Sequence, residues 1–152
     1  MIVGHENLLD IRAQYESVAL RIGCFDLFHQ GHRAGLDFSK QHAEALIVGV
    51  LSDDDVRRRK GPDRPVETCE IRTQAVNEYN AVDYVLAVSG TRQVLSLINK
   101  LRPAVLIDSQ ENRRRNAMSR MLFPLLGIEY VLDTGMKIES TTDIIARRGR
   151  IQ

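Results

Sequence analysis

The sequence has few of the residues that mark secreted or membrane proteins. Its two cysteines, Cys24 and Cys69, lie far apart, so neither a disulfide framework nor a zinc site is expected. No apolar run approaches the roughly 20 residues that span a bilayer, and the first residues lack the pattern of a leader peptide. These absences predict a soluble protein of a reducing, cytoplasmic compartment.

The sequence also lacks an excess of either charge. Its 21 Lys and Arg are balanced by 20 Asp and Glu, which gives a net charge of +1 at pH 7. No global field therefore attracts the chain to nucleic acid or to a membrane surface, so we expect small-molecule substrates and only local affinity for phosphate. With 152 residues, of which 43% are hydrophobic, the chain suits one domain, 1–152, with residues 1–16 as an N-terminal helical extension.

Apolar runs alternate with amphipathic stretches along the chain. Five runs predict strands, at residues 18–22, 45–51, 84–88, 104–107 and 128–132. The second run is apolar throughout, which is typical of a strand covered on both faces. Helical patterns lie between the strands, one of them over residues 33–43. The alternation predicts the α/β class, with a Rossmann-like, doubly wound five-stranded parallel sheet.

Apolar residues at helical spacing predict which helix faces are buried. The predicted inward residues are Ile71, Ala75, Val76 and Tyr79 after a capping Thr68, then Val94, Leu97, Ile98 and Leu101, and finally Ala117, Met118, Met121, Leu122 and Leu125. Residues 52–68 are dense in charge and contain a glycine and two prolines. They are predicted to form one helical turn and then a long loop, of the kind that more often carries function than not.

The stretch 22–32 joins the first strand to the next helix and places His29 and His32 on either side of Gly31. Helix N-termini attract anions, because their first N–H groups lack partners and the dipole is positive there. In parallel sheets the ligand crevice lies at the carboxyl ends of the strands, where this turn is expected. The pattern predicts a phosphate site, although a histidine pair alone also suits a structural role in a loop.

Two separated motifs resemble the signatures of one family. Residues 23–32, Gly-Cys-Phe-Asp-Leu-Phe-His-Gln-Gly-His, resemble the HxGH signature of the cytidylyltransferase-like nucleotidyltransferases. Residues 140–145, Ser-Thr-Thr-Asp-Ile-Ile, resemble the second signature, which opens the last helix in that family. Residues 52–66 and Arg72 are similar to the adenylyltransferase domain of ADP-heptose synthase, and the whole resemblance runs from about residue 8 to residue 146.

The resemblance implies nucleotidyl transfer, in which an acceptor phosphate attacks the α-phosphorus of a nucleoside triphosphate and pyrophosphate leaves. ATP and a heptose-like sugar 1-phosphate are the leading substrates, giving an ADP-sugar, and Mg²⁺ is expected to accompany the triphosphate. A homodimer is compatible with the resemblance, since family members often dimerise. The implied catalytic residues are His29, His32 and Lys60, and the implied nucleotide- or phosphate-binding residues are Gly23, Cys24, Phe25, Asp26, Gly31, Arg72, Ser140, Thr141 and Thr142; no metal ligand is assigned to the protein.

Two alternatives stay open. One is a CTP-dependent enzyme that acts on a polyol or aminoalcohol phosphate, similar to glycerol-3-phosphate cytidylyltransferase, and the other is a non-catalytic nucleotide-binding module. The chain also departs from the family in two places. Residues 108–112 read Asp-Ser-Gln-Glu-Asn where the heptose enzymes carry Lys-Gly-Gly-Asp-Tyr, and Ile138 and Glu139 replace a glycine and a small residue. The first departure replaces a lysine by an acid, the second adds bulk and negative charge near the expected triphosphate site, and both bear on which acceptor is used.

Overall fold

The computed structural model describes residues 1–110, 117–135 and 145. Five strands in these residues form one parallel sheet with the order β3-β2-β1-β4-β5. The order reverses between β1 and β4, which is the place where such sheets bind ligands. The predicted Rossmann-like parallel sheet is therefore confirmed. The strands are β1 (Val18–Gly23), β2 (Ala45–Leu51), β3 (Tyr84–Val88), β4 (Val105–Ser109) and β5 (Glu129–Asp133).

Helices cover both faces of this sheet. Leu8 of α1 and Leu97 of α5 belong to one hydrophobic cluster, whereas Leu36 of α2 and Val76 of α4 belong to the cluster on the opposite face. All seven residues of β2 are buried between the two layers, as its unbroken apolar run predicts. The helices are α1 (Leu8–Gln14), α2 (Gln30–Lys40), α3 (Asp53–Lys60), α4 (Cys69–Asn77), α5 (Gly90–Leu101) and α6 (Ala117–Leu125), with a short 3-10 helix (His5–Asn7) before α1.

The first residues of the chain extend the sheet beyond β3. The N–H of Val85 donates to the carbonyl of Met1, and the N–H of Val3 donates to the carbonyl of Val85, each at 3.0 Å. Ile2 forms a parallel bridge to Val85. The outer edge of β3 is thus paired with residues 1–3. In the described part of the chain, no helix is both long enough and apolar enough to cross a bilayer.

The charged segment after β2 is a helix of eight residues rather than the predicted single turn, which corrects the prediction for this region. The hydroxyl of Ser52 caps the helix by accepting the N–H of Asp55 at 3.3 Å. Acidic residues occupy the first turn and basic residues the last, so both ends complement the helix dipole. Because a cap and charges favour this helix, its sequence needs no apolar residues at helical spacing. The sequence therefore gave no signal for more than one turn.

Two predicted inward faces are wrong in part. In α4, Val76 is buried as predicted, but Ile71 is 53% exposed because Arg72 occupies the interior beside it. In α6, the residues predicted to be buried include Met121 and Leu125, whose exposed fractions are 72% and 81%. The α6 sequence is apolar around most of its circumference, so the spacing does not select a face. Among the α6 side chains that the structure describes, Phe123 packs on the core, stacked on Tyr130 with centroids 6.4 Å apart.

Candidate active site

The first turn of α2, the helix that follows β1, holds the two histidines. His29 is the N-cap, and its Nδ1 accepts the N–H of Gly31 at 3.1 Å. Three residues on, the Nδ1 of His32 accepts the N–H of His29 at 3.4 Å. The two rings stack with their centroids 3.7 Å apart. This reciprocal capping lets α2 begin at Gln30, three residues earlier than predicted, and it fixes both imidazoles at the helix N-terminus.

These contacts assign the tautomer of the histidines. A ring nitrogen that accepts a backbone N–H carries no proton, so the neutral rings carry their hydrogen on Nε2. Burial is the main cause that lowers the pKa of His32, to about 2, with smaller electrostatic effects of His29, Lys60 and Arg21. His32 is therefore neutral at physiological pH. Its Nε2–H is a hydrogen-bond donor, as a charged phosphate oxygen requires.

Two aromatic rings pack against the imidazole of His32. The centroid of Phe25 lies 5.3 Å from that of His32, and Phe28 stacks on the same imidazole at 5.8 Å. Phe25 and Leu27 have positive φ values of 57° and 50°, which non-glycine residues seldom adopt. At Gly23 a Cβ would lie 2.8 Å from the Phe25 ring, so glycine is needed there for space. The turn therefore has an energetically unfavourable backbone conformation, which places the Phe25 ring against His32.

Asp26 ties this turn to the loop between α3 and α4. Its side chain has no exposed surface and accepts the N–H groups of Val66 and Glu67 at 3.0 Å. The guanidinium of Arg64 lies against the other oxygen, with Nε at 2.9 Å and Nη2 at 2.8 Å. Glu67 reciprocates, because its carboxylate accepts the N–H of Leu27 at 3.1 Å. Asp26 therefore supports the turn from within the protein.

Arg72 lies in the interior, at the carboxyl ends of β1 and β2. It has no exposed surface. Its Nη1 donates to the carbonyl of Cys24, its Nη2 to the carbonyl of Leu51 at 2.8 Å, and its Nε to the carbonyl of Glu67 at 3.0 Å. Nη2 also pairs with Asp53 at 2.6 Å. Direct contact with phosphate would require these bonds to break, so the predicted phosphate role of Arg72 stays a prediction.

Lys60 is the last residue of α3 and is exposed. Its charge lowers the pKa of His32, after the larger effects of burial and of His29. It also acts on Cys24, where burial raises the pKa of the thiol and the Lys60 and Arg72 charges oppose that rise. The ammonium group is thus within electrostatic reach of the histidine turn. The catalytic role of Lys60 stays a prediction.

The structure brings most of the predicted residues to one edge of the sheet. Ser140, Thr141 and Thr142 lie outside the described residues, as do Ile138 and Glu139. The predicted residues that surround the end of β1 or the start of α2 are Gly23, Cys24, Phe25, Asp26, His29, Gly31 and His32, with Lys60 and Arg72 arriving from α3 and α4. No group of three or more potential metal-ligating side chains occurs within the described ranges.

Sequence reasoning missed two supporting residues, Arg64 and Glu67, which hold the histidine turn through Asp26 and Leu27. Both belong to the charged segment 52–68, but only Arg64 lies in the part that resembles the family, and their partners lie about 40 residues away in the sequence. Asp108, which differs from the family residue, is buried at the end of β4 and accepts the hydroxyl of Tyr130 at 2.6 Å. Burial and the Asp108 carboxylate raise the pKa of Tyr130.

The family follows from a direct comparison with known proteins. A family model described as cytidylyltransferase-like matches residues 20–147. The chain belongs to the cytidylyltransferase-like family. The bifunctional protein HldE of Alcanivorax borkumensis is 37% identical to it over 146 residues, which cover 91% of this chain and 29% of that protein. HldE of Rhodopseudomonas palustris is 35% identical over 155 positions, which cover 97% of this chain and 31% of the relative. The predicted resemblance to this family is confirmed. The chain spans less than a third of the length of these relatives.

Solved structures share the fold of this cytidylyltransferase-like chain. A lipopolysaccharide core biosynthesis protein from Thermoplasma volcanium has a TM-score of 0.67 at 21% identity, and the match covers 79% of this chain and 98% of that one. Pantoate-beta-alanine ligase from Francisella tularensis has a TM-score of 0.64 at 13% identity, covering 98% and 77%. At such identities the likeness concerns the fold alone. It confirms the α/β fold with a parallel sheet.

Proposed function

We propose that the chain transfers AMP from ATP to a heptose-like sugar 1-phosphate, forming an ADP-sugar and pyrophosphate. The observation that carries this proposal is the pair of stacked imidazoles at the N-terminus of α2, with both Nδ1 atoms engaged by backbone N–H groups. Their Nε2–H groups are donors for phosphate oxygens. The resemblance to the adenylyltransferase domain of ADP-heptose synthase, and the HldE relatives, favour ATP and the sugar phosphate.

The chemistry requires positioning and charge stabilisation rather than an enzyme nucleophile. An oxygen of the acceptor phosphate forms a bond to the α-phosphorus, while the bond from the α-phosphorus to its bridging oxygen breaks and pyrophosphate leaves with the electron pair. His29 and His32 donate to oxygens that gain charge in this step. Lys60 adds a positive charge to the same edge, and Ser140 to Thr142 are proposed to hold the leaving phosphates. Mg²⁺ enters as the companion of the triphosphate substrate.

The test is pyrophosphate release with ATP or CTP, against a panel of sugar 1-phosphates, polyol phosphates and aminoalcohol phosphates. The decisive variant is His29→Asn, because asparagine keeps the capping acceptor but lacks the Nε2–H donor. The loss of one such donor is expected to lower kcat about 100-fold or more. His42→Ala is the matched control, since His42 lies beyond the other end of α2 and contacts the carbonyl of Phe38 at 2.8 Å.

We expect release with ATP and a sugar 1-phosphate, a large loss in His29→Asn and wild-type rates in His42→Ala. Release with CTP and an aminoalcohol phosphate instead would transfer the assignment to the cytidylyltransferase alternative. Nucleotide binding without pyrophosphate release from any pair would contradict the enzyme proposal. Wild-type rates in a folded His29→Asn variant would refute the role of the histidines.

A further inference from the structure

A charged residue, Arg21, lies in the central strand of the sheet. Its exposed fraction is 8%, and its neighbours in register are Val48 of β2 and Ile107 of β4. Side chains alternate between the faces of a strand, so Arg21 lies on the same face as Ala19, which belongs to the cluster under α2. A buried guanidinium in the middle of a sheet needs partners that compensate its charge.

Two elements supply these partners. The Nη1 of Arg21 donates to the carbonyl of Gly35 at 2.8 Å and to the hydroxyl of Ser39 at 3.0 Å, and both acceptors belong to α2. The same nitrogen lies 3.0 Å from a carboxylate oxygen of Asp133, the last residue of β5. The side chains of the pair are only 10% and 12% exposed. Arg21 thus connects the histidine helix to the end of a strand two positions away in the sheet.

Gly35 allows the helix to approach this ion pair. A Cβ at this position would lie 2.7 Å from Nη2 of Arg21 and 2.9 Å from a carboxylate oxygen of Asp133. The far atoms of both charged side chains therefore occupy the space that any other residue would fill. Gly35 is one helical turn after His32, so the ion pair contacts α2 directly below the turn that carries the histidines.

Buried ion pairs add little net stability, and a well-attested use of them is to fix one arrangement among several. On one side of this pair is the helix with His29 and His32. On the other is the end of β5, from which the chain reaches Ser140 within seven residues. The Arg21 charge also contributes to the lowered pKa of His32, after burial and the electrostatic effects of His29 and Lys60. Arg21 therefore acts on the site both by contact and by charge.

We propose that Arg21 and Asp133 are positioning residues, which hold α2 and its two histidines in register with the end of β5. The inference rests on the proposed nucleotidyl transfer. The histidines and the proposed phosphate-binding residues 140–142 are far apart in the sequence, and a displacement of about 1 Å between such groups lowers rates about 100-fold. The pair sets the distance between α2 and β5 at the level of Gly35.

The chain offers a matched control at the other end of the same helix. Lys40, the last residue of α2, pairs with Asp83, and this carboxylate also accepts the N–H of Leu46 at 2.7 Å. Asp83→Asn therefore weakens a tether of α2 that is remote from the histidines. Asp133→Asn makes the same chemical change at the near end, and Gly35→Ala places a Cβ against the far atoms of the ion pair while both charges remain.

The experiment has two readouts. The first is the set of histidine ring resonances in the unliganded protein, assigned with His29→Asn and His32→Asn, which requires no enzymatic activity. The second is kcat and KM for pyrophosphate release, per mole of folded protein. We expect Asp133→Asn and Gly35→Ala to shift the ring resonances of His29 and His32 and to lower kcat about 10- to 100-fold, with a smaller change in the KM for the nucleotide. Asp83→Asn is expected to leave both readouts at wild-type values.

Failure of the two proposals can be told apart. If the wild-type protein releases no pyrophosphate, the proposed function fails, while the ring resonances still test the positioning role. If Asp133→Asn does not fold, the double variant Arg21→Met with Asp133→Leu removes both charges and keeps apolar volume, and it is expected to shift the same resonances. Unchanged resonances and kcat in folded Asp133→Asn or double-variant protein would overturn the inference. Equal effects from Asp83→Asn would overturn it as well, because a general loosening of α2 would then explain them.

Discussion

Replacement of Asp26 by asparagine is expected to destabilise the protein severely, although the two side chains have the same shape. The carboxylate has no exposed surface, and both of its oxygens are occupied. One oxygen accepts the N–H groups of Val66 and Glu67, and the other lies against the guanidinium of Arg64. An asparagine has a single acceptor oxygen. Its amide group must then point its own hydrogens either at the two backbone N–H groups or at Arg64.

The size of this effect follows from the bonds that are lost. In either orientation at least two donors lose a charged acceptor, and each such bond contributes about 1.5–3 kcal/mol. The Arg64 charge would also remain buried without its counter-ion, a change that by itself costs about 3–5 kcal/mol. Since these penalties overlap, we expect a loss of about 3–5 kcal/mol, a large part of the 5–15 kcal/mol typical of a folded domain.

The assay is urea unfolding at neutral pH, followed by circular dichroism, with Asp54→Asn as the control. Asp54 carries the same ion-pair chemistry with Arg57, but its side chain is 80% exposed. Exposed pairs contribute about 0–1 kcal/mol, so the control should unfold close to the wild-type midpoint. A loss below about 1 kcal/mol in Asp26→Asn, or one equal to that of the control, would refute the view that Asp26 holds the histidine turn in place.

Three further predictions concern other parts of the molecule. The pKa of His32 is lowered mainly by burial, from 6.5 to about 2, so the unfolded chain takes up a proton below pH 6.5 that the folded protein does not bind. Stability should therefore fall from pH 7 to pH 5, by up to about 2 kcal/mol, and urea titrations of His32→Asn should show a flatter dependence; parallel curves would contradict the assignment. Leu97→Ala should lower the free energy of unfolding by about 2–5 kcal/mol, because Leu97 is buried. Leu125→Ala should change it by less than about 0.5 kcal/mol, because Leu125 is 81% exposed. Thermal melts that show the reverse order would support the predicted inward face of α6. Lys60→Ala should lower kcat/KM about 100-fold without loss of stability, and Arg59→Ala, one position earlier on the same exposed turn, should not; equal rates for the two variants would remove Lys60 from the site.

The sequence predicted the sheet well because each strand has a local signal. The run from Ala45 to Leu51 is apolar throughout, and the strand has these bounds in the structure. Local signals fail where the deciding partner is remote or where every side of a helix looks alike. Helix α6 is an example, since Phe123 packs on the core and stacks on Tyr130 of β5, a partner that the spacing within α6 does not reveal.

The site shows the same division. The histidine turn could be predicted, since its residues are adjacent in sequence and resemble a family signature. The residues that contact α2 below this turn could not be predicted, because Arg21 and Asp133 lie on strands that become neighbours of α2 only after folding. A single arginine in a strand also carries no sequence signal that identifies its partner. The resemblance implied a phosphate role for Arg72, which stays a prediction, while its bonds to the carbonyls of Leu51 and Glu67 depend on the fold and have no sequence signal.

The pairing of residues 1–3 with β3 bears on how the protein behaves at high concentration. An uncovered outer strand presents a row of free N–H and C=O groups, which can recruit the strand of another molecule and start aggregation. Here the backbone of Val85 is bonded on that side to Met1 and Val3, and the terminal ammonium group donates to the carbonyl of Asp83 at 2.7 Å. Residues 1–3 thus cover the backbone of the apolar strand β3 at Val85, and substitutions that release them would expose this edge to a strand of another molecule.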